Sequence, residues 1–164
     1  MRVPLRTQYA TRALYELALL HDKGGAIPTA RAGERGAVVP IHGWQPAAAQ
    51  APAIAKRQRI PLAFLERILQ DLRKASLVVA RRGPRGGYAL ARPPADISLA
   101  DVVRATAGAP VRRAPAHDVV ALAWQDATAR AFDALAATTL ADLLARAEAT
   151  GQREASPPTT MYFI

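Results

Sequence analysis

The amino-acid sequence predicts a mainly α-helical fold that carries one small β-hairpin. Two observations predict it: apolar residues recur every three to four positions over several segments, and a glycine-rich turn separates two short apolar runs. The chain has 164 residues, of which 51% are hydrophobic. This is ample for a core, and the length allows one or two small domains.

The first helix is predicted from Leu5 to His21. Polar side chains such as Glu16 lie on other faces than its apolar stripe, which consists of Ala10, Ala13, Leu14, Leu17 and Ala18. Asp22-Lys23-Gly24-Gly25 ends the helix. From Thr29 to Gln50 no helical or strand period fits, so we predict an inserted loop there. The loop is either an ordered extension that touches a ligand through Arg31 and Arg35, or disordered, which its composition favours.

Two helices joined by a tight turn follow the insertion. Pro52 suits the first turn of a short helix that ends near Gln58, and Arg59-Ile60-Pro61 leads into a second helix that ends near Ala75. The apolar stripe of this second helix consists of Leu62, Leu65, Leu69, Leu72 and Ala75. Its opposite face presents Ala63, Glu66, Arg67, Gln70 and Lys74. This arrangement is typical of a helix-turn-helix.

A basic hairpin comes directly after the second helix. Its two predicted strands are Leu77-Val78-Val79 and Tyr88-Ala89-Leu90, and the turn between them carries Arg81, Arg82 and Arg85. Glycines at positions 83, 86 and 87 permit a tight reversal and a close backbone approach. The predicted fold class is therefore a winged helix-turn-helix, and its arginines point to nucleic acid, although a solvated basic turn has the same composition.

Three helices are predicted in the second half. Ser98-x-x-Asp101 is a capping box that opens a helix ending at Gly108, and Thr139-x-x-Asp142 opens the last helix. Between them lies a long helix whose apolar face consists of Val120, Ala123, Trp124, Ala127, Ala131, Ala134 and Leu135. Small residues permit close helix contact, so this face is a candidate dimer seam, although an intramolecular core helix has the same pattern.

Positive charge is concentrated in the first half of the chain. Residues 1–92 hold 16 Lys and Arg against 5 Asp and Glu, a net charge of +11, whereas residues 93–164 hold 6 against 8, a net charge of −2. We therefore predict a winged helix-turn-helix DNA-binding domain over residues 1–92, with the insertion at 29–50. Residues 93–150 form a helical dimerisation or regulatory region, and 151–164 a flexible tail.

Composition also disfavours several classes. The chain has no cysteine, which excludes disulfides, thiolate catalysis and cysteine-ligated zinc or iron–sulfur sites. Its three histidines are scattered, so we predict no enzyme, no metal site and no cofactor. The absence of a long apolar run disfavours a membrane span, and we expect a cytoplasmic protein.

The sequence resembles the Rrf2 family of bacterial winged-helix regulators over most of its length. The resemblance is carried by Tyr9-Ala10-x-Arg12-Ala13-Leu14, Ile54-Ala55-x-Arg57-Gln58-x-Ile60-Pro61, Leu65-Glu66-x-Ile68-Leu69, Leu72-Arg73-Lys74-Ala75-x-Leu77-Val78, Arg82-Gly83-Pro84-x-Gly86-Gly87-Tyr88-x-Leu90 and Thr138-Thr139-Leu140-Ala141-Asp142-Leu143. It implies a homodimer, crossed by the long helix, that binds an imperfect inverted repeat in double-stranded DNA and represses transcription.

The resemblance also implies roles for single residues. Glu66 would accept from a cytosine amino group, and Arg67 would donate to guanine or phosphate. Arg82 would enter or border the minor groove. Lys74, Arg81 and Arg85 would contact phosphates, although for Lys74 and Arg85 a solvated position is nearly as plausible.

The chain departs from the cluster-bearing members of the family. Their sensor loop carries three cysteines, whereas the matching residues 108–116 here contain Arg112 and Arg113, which are suited to hold a small anion or simply to be solvated. His117 and Asp118 are more typical of a helix cap or a surface than of a metal site. The chain is therefore most like the CymR-type regulators of cysteine metabolism.

The chain ends in an apolar tetrapeptide, Met161, Tyr162, Phe163 and Ile164, on a proline-containing tether. It resembles the tails of serine acetyltransferases, which insert into cysteine synthase (O-acetylserine sulfhydrylase), and implies that this synthase is a partner. The alternative is that the tail packs on its own domain. Two further functions stay open: a protein-interaction adaptor with a winged-helix fold, and a regulator that senses a small anion at 108–116.

Overall fold

A computed structural model describes residues 3–22, 47–83, 86–108, 115 and 117–151. In chain order the elements are α1 (Leu5–Asp22), α2 (Ala51–Gln58), α3 (Leu62–Lys74), β1 (Val78–Arg81), β2 (Gly87–Leu90), a 3-10 turn (Pro94–Asp96), α4 (Leu99–Ala107), α5 (Val119–Ala136) and α6 (Leu140–Ala149). The predicted class, mainly helical with one small hairpin, is confirmed.

Helix α1 lies at the centre of the molecule. It packs against α2, α3, α4 and α6, and its predicted apolar stripe is fully buried. The core continues through the apolar stripe of α3 and into the second half, where Ile97, Val102 and Leu140 are fully buried. Because the core includes residues on both sides of Arg92, the division into two functional regions remains a prediction about function rather than packing.

The hairpin has a third, single-residue partner. β1 pairs antiparallel with β2 in the register Val78 opposite Leu90 and Arg81 opposite Gly87. On the other edge of β2, Ala49 and Tyr88 exchange two backbone hydrogen bonds of 2.8 Å each. The end of the predicted loop at 29–50 is thus part of the sheet. Its residues 29–46 lie outside the described residues.

Both predicted capping boxes are present in the second half. The Ser98 hydroxyl accepts from the backbone N–H of Asp101, and Thr139 does the same for Asp142, while each carboxylate accepts from the backbone N–H of its N-cap residue. The two N-termini also pair, since Leu99 N–H donates to the Thr138 carbonyl and Leu140 N–H to that of Ile97. Helices α4 and α6 therefore start side by side. Asp118, rather than His117, caps α5.

None of the helices in the described part of the chain is long and apolar enough to traverse a bilayer.

Candidate nucleic-acid interface

Helix α3 divides cleanly into a buried and an exposed face. Leu65, Ile68, Leu69 and Leu72 are buried against the core. The predicted opposite face, formed by Ala63, Glu66, Arg67, Gln70 and Lys74, is exposed along its whole length. Arg73 on the flank is exposed as well, and the sequence pattern did not single it out. This face offers carboxylate, amide and cationic groups that face solvent on a helix fixed from behind.

A buried carboxylate secures the turn in front of α3. Glu16 of α1 is only 2% exposed. One of its carboxylate oxygens accepts from the Gln58 side-chain amide at 2.9 Å, and the other pairs with the Arg57 guanidinium at 2.9 Å. The next residue, Arg59, adopts the left-handed conformation with φ of 52°, which turns the chain toward α3. The carboxylate therefore links α1 to the geometry of the helix-turn-helix.

Glu16 lies on another face of α1 than the apolar stripe, as predicted, but this face is not exposed to solvent. Helix α2 covers that face, and it brings the Arg57 and Gln58 side chains to the carboxylate. A buried carboxylate needs donors or a countercharge. Gln58 donates a hydrogen bond to one oxygen, and the other oxygen is balanced by the ion pair with Arg57.

Helix α1 also fixes the outer edge of α3. The Arg6 guanidinium forms an ion pair with Asp71. Near the start of α3, the Phe64 ring packs edge-on against Tyr9, with the ring centroids 5.7 Å apart and the planes at 80°. Burial lowers the pKa of Arg12 on the same helix, but a guanidinium stays protonated at any physiological pH. Contacts from α1 therefore hold α3 near its start and in its third turn.

The chain passes from α3 into the hairpin through one left-handed residue. Ser76 has a φ of 56°, and the N–H of Leu77 donates to the Leu72 carbonyl at 2.9 Å, which closes the helix end. β1 then begins at Val78 and extends to Arg81, so Arg81 lies on a strand and not in the turn as predicted. The direction of the hairpin is set by the helix end.

Arg81 and Arg82 are both exposed at the tip of the hairpin. The turn beyond them is closed by the Gly86 N–H, which donates to the Gly83 carbonyl at 2.9 Å. A Cβ atom at position 86 would overlap the Arg81 carbonyl oxygen, and one at position 87 would overlap that of Ala49. Glycine is therefore required at both positions by close backbone approach.

Several predicted site residues lie outside the described residues. These are Arg31, Arg35, Arg85, Arg112, Arg113, Met161, Tyr162, Phe163 and Ile164. Of the predicted interface, the structure brings together the exposed face of α3 and the arginines at positions 81 and 82, which follow it along the same chain path.

The fold and this surface define a winged helix-turn-helix protein. The chain belongs to the Rrf2 family, whose model, described as "Iron-dependent Transcriptional regulator", matches residues 41–146. The family consists of transcriptional regulators, which confirms the prediction that the chain is not an enzyme.

Relatives that are named as HTH-type transcriptional regulators support the same assignment. The chain is 29% identical over 156 residues to the HTH-type transcriptional regulator IscR of Cereibacter sphaeroides, covering 88% of this chain and 87% of that protein. It is 36% identical over 105 residues to a protein of Synechocystis named as an HTH-type transcriptional regulator, covering 64% of this chain and 56% of the relative. The match to a Neisseria meningitidis relative covers 41% of it, so the chain spans about half the length of these two relatives.

Two solved structures are similar over nearly their whole length. IscR of T. potens superposes with a TM-score of 0.68 and 26% identity, covering 99% of this chain and 97% of that one. CymR, described as the global cysteine regulator of B. subtilis, superposes with a TM-score of 0.62 and 25% identity, covering 89% and 98%.

A cysteine-ligated iron–sulfur cluster, one basis for iron dependence, does not fit the residues of this chain. The sequence contains no cysteine to ligate an iron–sulfur cluster. Within the described ranges no three His, Asp or Glu side chains come together as a metal site would require.

Proposed function

We propose that this protein is a sequence-specific DNA-binding transcription regulator that acts as a homodimer, represses its targets and works in the cytoplasm. The observation that carries the proposal is the exposed polar face of α3 next to a hairpin with two exposed arginines. In winged helix-turn-helix proteins the second helix enters the major groove, and positive charge around it neutralises phosphates. The charge excess in residues 1–92 matches this use.

The exposed side chains of α3 have distinct tasks in this proposal. The Glu66 carboxylate accepts from a cytosine amino group, and Arg67, one position further along, donates to guanine or to phosphate. Ala63 and Gln70 face the groove on the same side, and Lys74 reaches a phosphate at the end of the helix. Sequence reading is thus concentrated in the first two turns of the helix.

The hairpin contributes backbone contacts beside the major groove. Arg82, beyond the end of β1, borders or enters the minor groove, whose negative potential is strongest where A·T pairs narrow it. Arg81 and Arg85 pair with phosphates and fix the register.

Helix α5 supports the dimer. It is described throughout and buries none of its 18 residues, and Trp124 on its apolar stripe is 71% exposed. In proteins most of the stability of a helix comes from covering its apolar face. Toward α4, Phe132 lies under Arg104 with 4.6 Å between the guanidinium and the ring centroid, whereas five of the seven stripe residues are exposed. A second copy of α5 is the occupant we propose.

One matched pair of variants tests the dimer. Ala127 lies in the stripe and Ala129 outside it, and both are exposed. Placing a carboxylate inside the seam costs an unpaired buried charge, so Ala127→Glu gives a monomer in sedimentation while Ala129→Glu stays dimeric. Equal masses for the two variants would contradict the assignment of the seam.

Selection from a pool of random DNA duplexes tests sequence-specific binding. The wild-type protein should enrich an imperfect inverted repeat, and Glu66→Ala should broaden the enriched sequence at one position in each half-site. If no sequence is enriched, the chain is an interaction adaptor and not a DNA-binding regulator.

A role in cysteine metabolism is the finer proposal. Its support is the similarity to CymR together with the apolar C-terminal tetrapeptide Met161–Ile164. We propose that cysteine synthase binds the side chains of this tetrapeptide as an extended peptide segment. Binding of the synthase to the tail would then change the affinity of the protein for DNA.

Titration of purified cysteine synthase tests this partner. The intact chain should bind, and a chain truncated after residue 160 should not, whereas its DNA affinity without the synthase should be unchanged. Equal binding by both chains, or binding by neither, would rule the partner out.

A further inference from the structure

The first turn of α3 carries three neighbouring exposed apolar side chains. Leu62 is 40% exposed and Phe64 is 39% exposed, and Ala63 between them is exposed as well. This patch is separate from the exposed apolar residues of α5, which the proposed dimer covers. It therefore needs an explanation of its own.

The Phe64 ring and the helix that carries the patch are held in place. The edge-on contact with Tyr9 fixes the Phe64 ring on α1, and the Arg6–Asp71 ion pair fixes α3 two turns further on. Leu65 and Ile68, immediately behind the patch, are buried in the core. An apolar surface held this way loses little side-chain entropy when it binds a target.

The chemistry of these side chains limits what they can recognise in DNA. Leucine, alanine and phenylalanine have no hydrogen-bond donor or acceptor, so they cannot read the polar edges of bases. The apolar feature of the major groove is the 5-methyl group of thymine. The N-terminal residues of a recognition helix are those that contact base edges.

We propose that the first turn of α3 reads thymine 5-methyl groups, with Ala63 at the centre of the contact and Leu62 and Phe64 on either side. The inference rests on the proposed placement of α3 in the major groove. It divides the helix by chemistry: the first turn selects thymine by apolar contact, and the polar positions from Glu66 onward read hydrogen-bonding edges.

Replacement of thymine by deoxyuridine tests the proposal with the wild-type protein. In a duplex selected from a random pool, each thymine of one half-site is exchanged singly, which removes only the methyl group. At one or more positions we expect the dissociation constant to rise about fourfold, the factor that corresponds to one buried methyl-sized group. If every exchanged duplex binds as tightly as the original, the proposal is wrong.

Variants then assign the effect to the patch. Leu62→Ala and Phe64→Ala should bind the original duplex more weakly and lose most of the thymine preference. Leu5→Ala is the matched control. Leu5 is an exposed apolar residue like those of the patch, 51% exposed, and it lies at the start of α1 beside Arg6, which pairs with Asp71 in the third turn of α3. Full thymine preference in both patch variants would overturn the proposal while leaving DNA binding intact. Failure to select any duplex would instead contradict the proposed function, which is sequence-specific DNA binding.

Discussion

The two halves of the molecule use apolar residues in opposite ways. Helix α3 buries Leu65, Leu69 and Leu72 of its apolar stripe and exposes its polar face, whereas α5 buries none of its residues and exposes five of the seven in its stripe. Apolar residues recur at helical spacing in both helices, more sharply in α3 than in α5. The burial of the side chains in the folded chain, and not the sequence pattern, distinguishes an apolar stripe that packs in the core from one that stays exposed.

The same contrast holds for charge. The described first half exposes arginines and lysines on α3 and the hairpin. In the second half, charged side chains are used within the fold: Asp101 accepts from the Ser98 N–H and pairs with Arg104, and Arg104 lies over Phe132. This difference supports the proposal that the first region holds an anionic ligand and the second presents a helix to a partner.

Truncating one large apolar residue in each half should give the sharpest contrast. Leu69→Ala removes a fully buried side chain of α3 and should lower the free energy of unfolding by about 3 kcal/mol. Trp124→Ala, made in the monomeric Ala127→Glu background, should change it by less than about 0.5 kcal/mol. Urea unfolding measures both values. Comparable losses would mean that α5 is a core helix.

Gly87→Ala should disrupt the hairpin. The added Cβ would overlap the Ala49 carbonyl, and a φ of 142° is strained for any other residue, so we expect a loss of about 2 kcal/mol. DNA affinity should fall with it. Gly151→Ala is the control, because its φ of 67° is also positive but nothing lies within 4 Å of its Cβ. Similar losses in the two variants would remove the special role of the contact with Ala49.

Glu16→Ala should destabilise the helix-turn-helix from behind. It leaves the buried Gln58 amide without an acceptor, which costs about 1.5 kcal/mol. Glu66→Ala, at an exposed position, should leave stability unchanged and alter DNA selection instead. Thermal unfolding combined with DNA titration distinguishes the two carboxylates. A stability loss confined to Glu66→Ala would reverse our assignment.

The smallest expected effect is the dependence of stability on acidic pH through Asp142. Hydrogen bonds from the Thr139 N–H and hydroxyl lower the pKa of Asp142 below its ordinary value of 3.8. Its contribution to stability is therefore complete above that value and lost as pH falls through the lower, folded-state pKa. Asp142→Asn should cost less than about 1 kcal/mol at neutral pH, and the difference from wild type should shrink on acidification. A difference independent of pH would contradict the capping role.

Most of the fold follows from local sequence signals. Leu5 begins α1 as predicted, both capping boxes form, and Gly108 ends α4. The signals fail where a contact is not periodic. Ala49 pairs with Tyr88 as a single residue outside any strand, so no alternation of apolar and polar residues predicts this pairing. The burial of Glu16 depends on α2 folding over α1, which the sequence of α1 alone does not encode.

The candidate site shows the same limit. The exposed polar face of α3 was predicted, because the buried positions between its members are leucine and isoleucine. Leu62 was expected in the apolar stripe, and Phe64 was not singled out. The exposure of Leu62 and Phe64 was not predicted, because the sequence of α3 does not show how much of its first turn the other helices cover. The contact between Tyr9 and Phe64 brings together residues that are distant in sequence.

The salt dependence of DNA affinity tests the central claim, that the first half binds DNA through α3 and the hairpin. For the double variant Arg81→Glu, Arg82→Glu, the slope of log affinity against log salt should become shallower by about two, because two cations that neutralise phosphate charge are lost, Arg81 at a phosphate and Arg82 beside the minor groove. Arg146→Glu on α6, an exposed arginine in the other half, should retain the wild-type slope. Equal slopes for all three proteins would contradict the account.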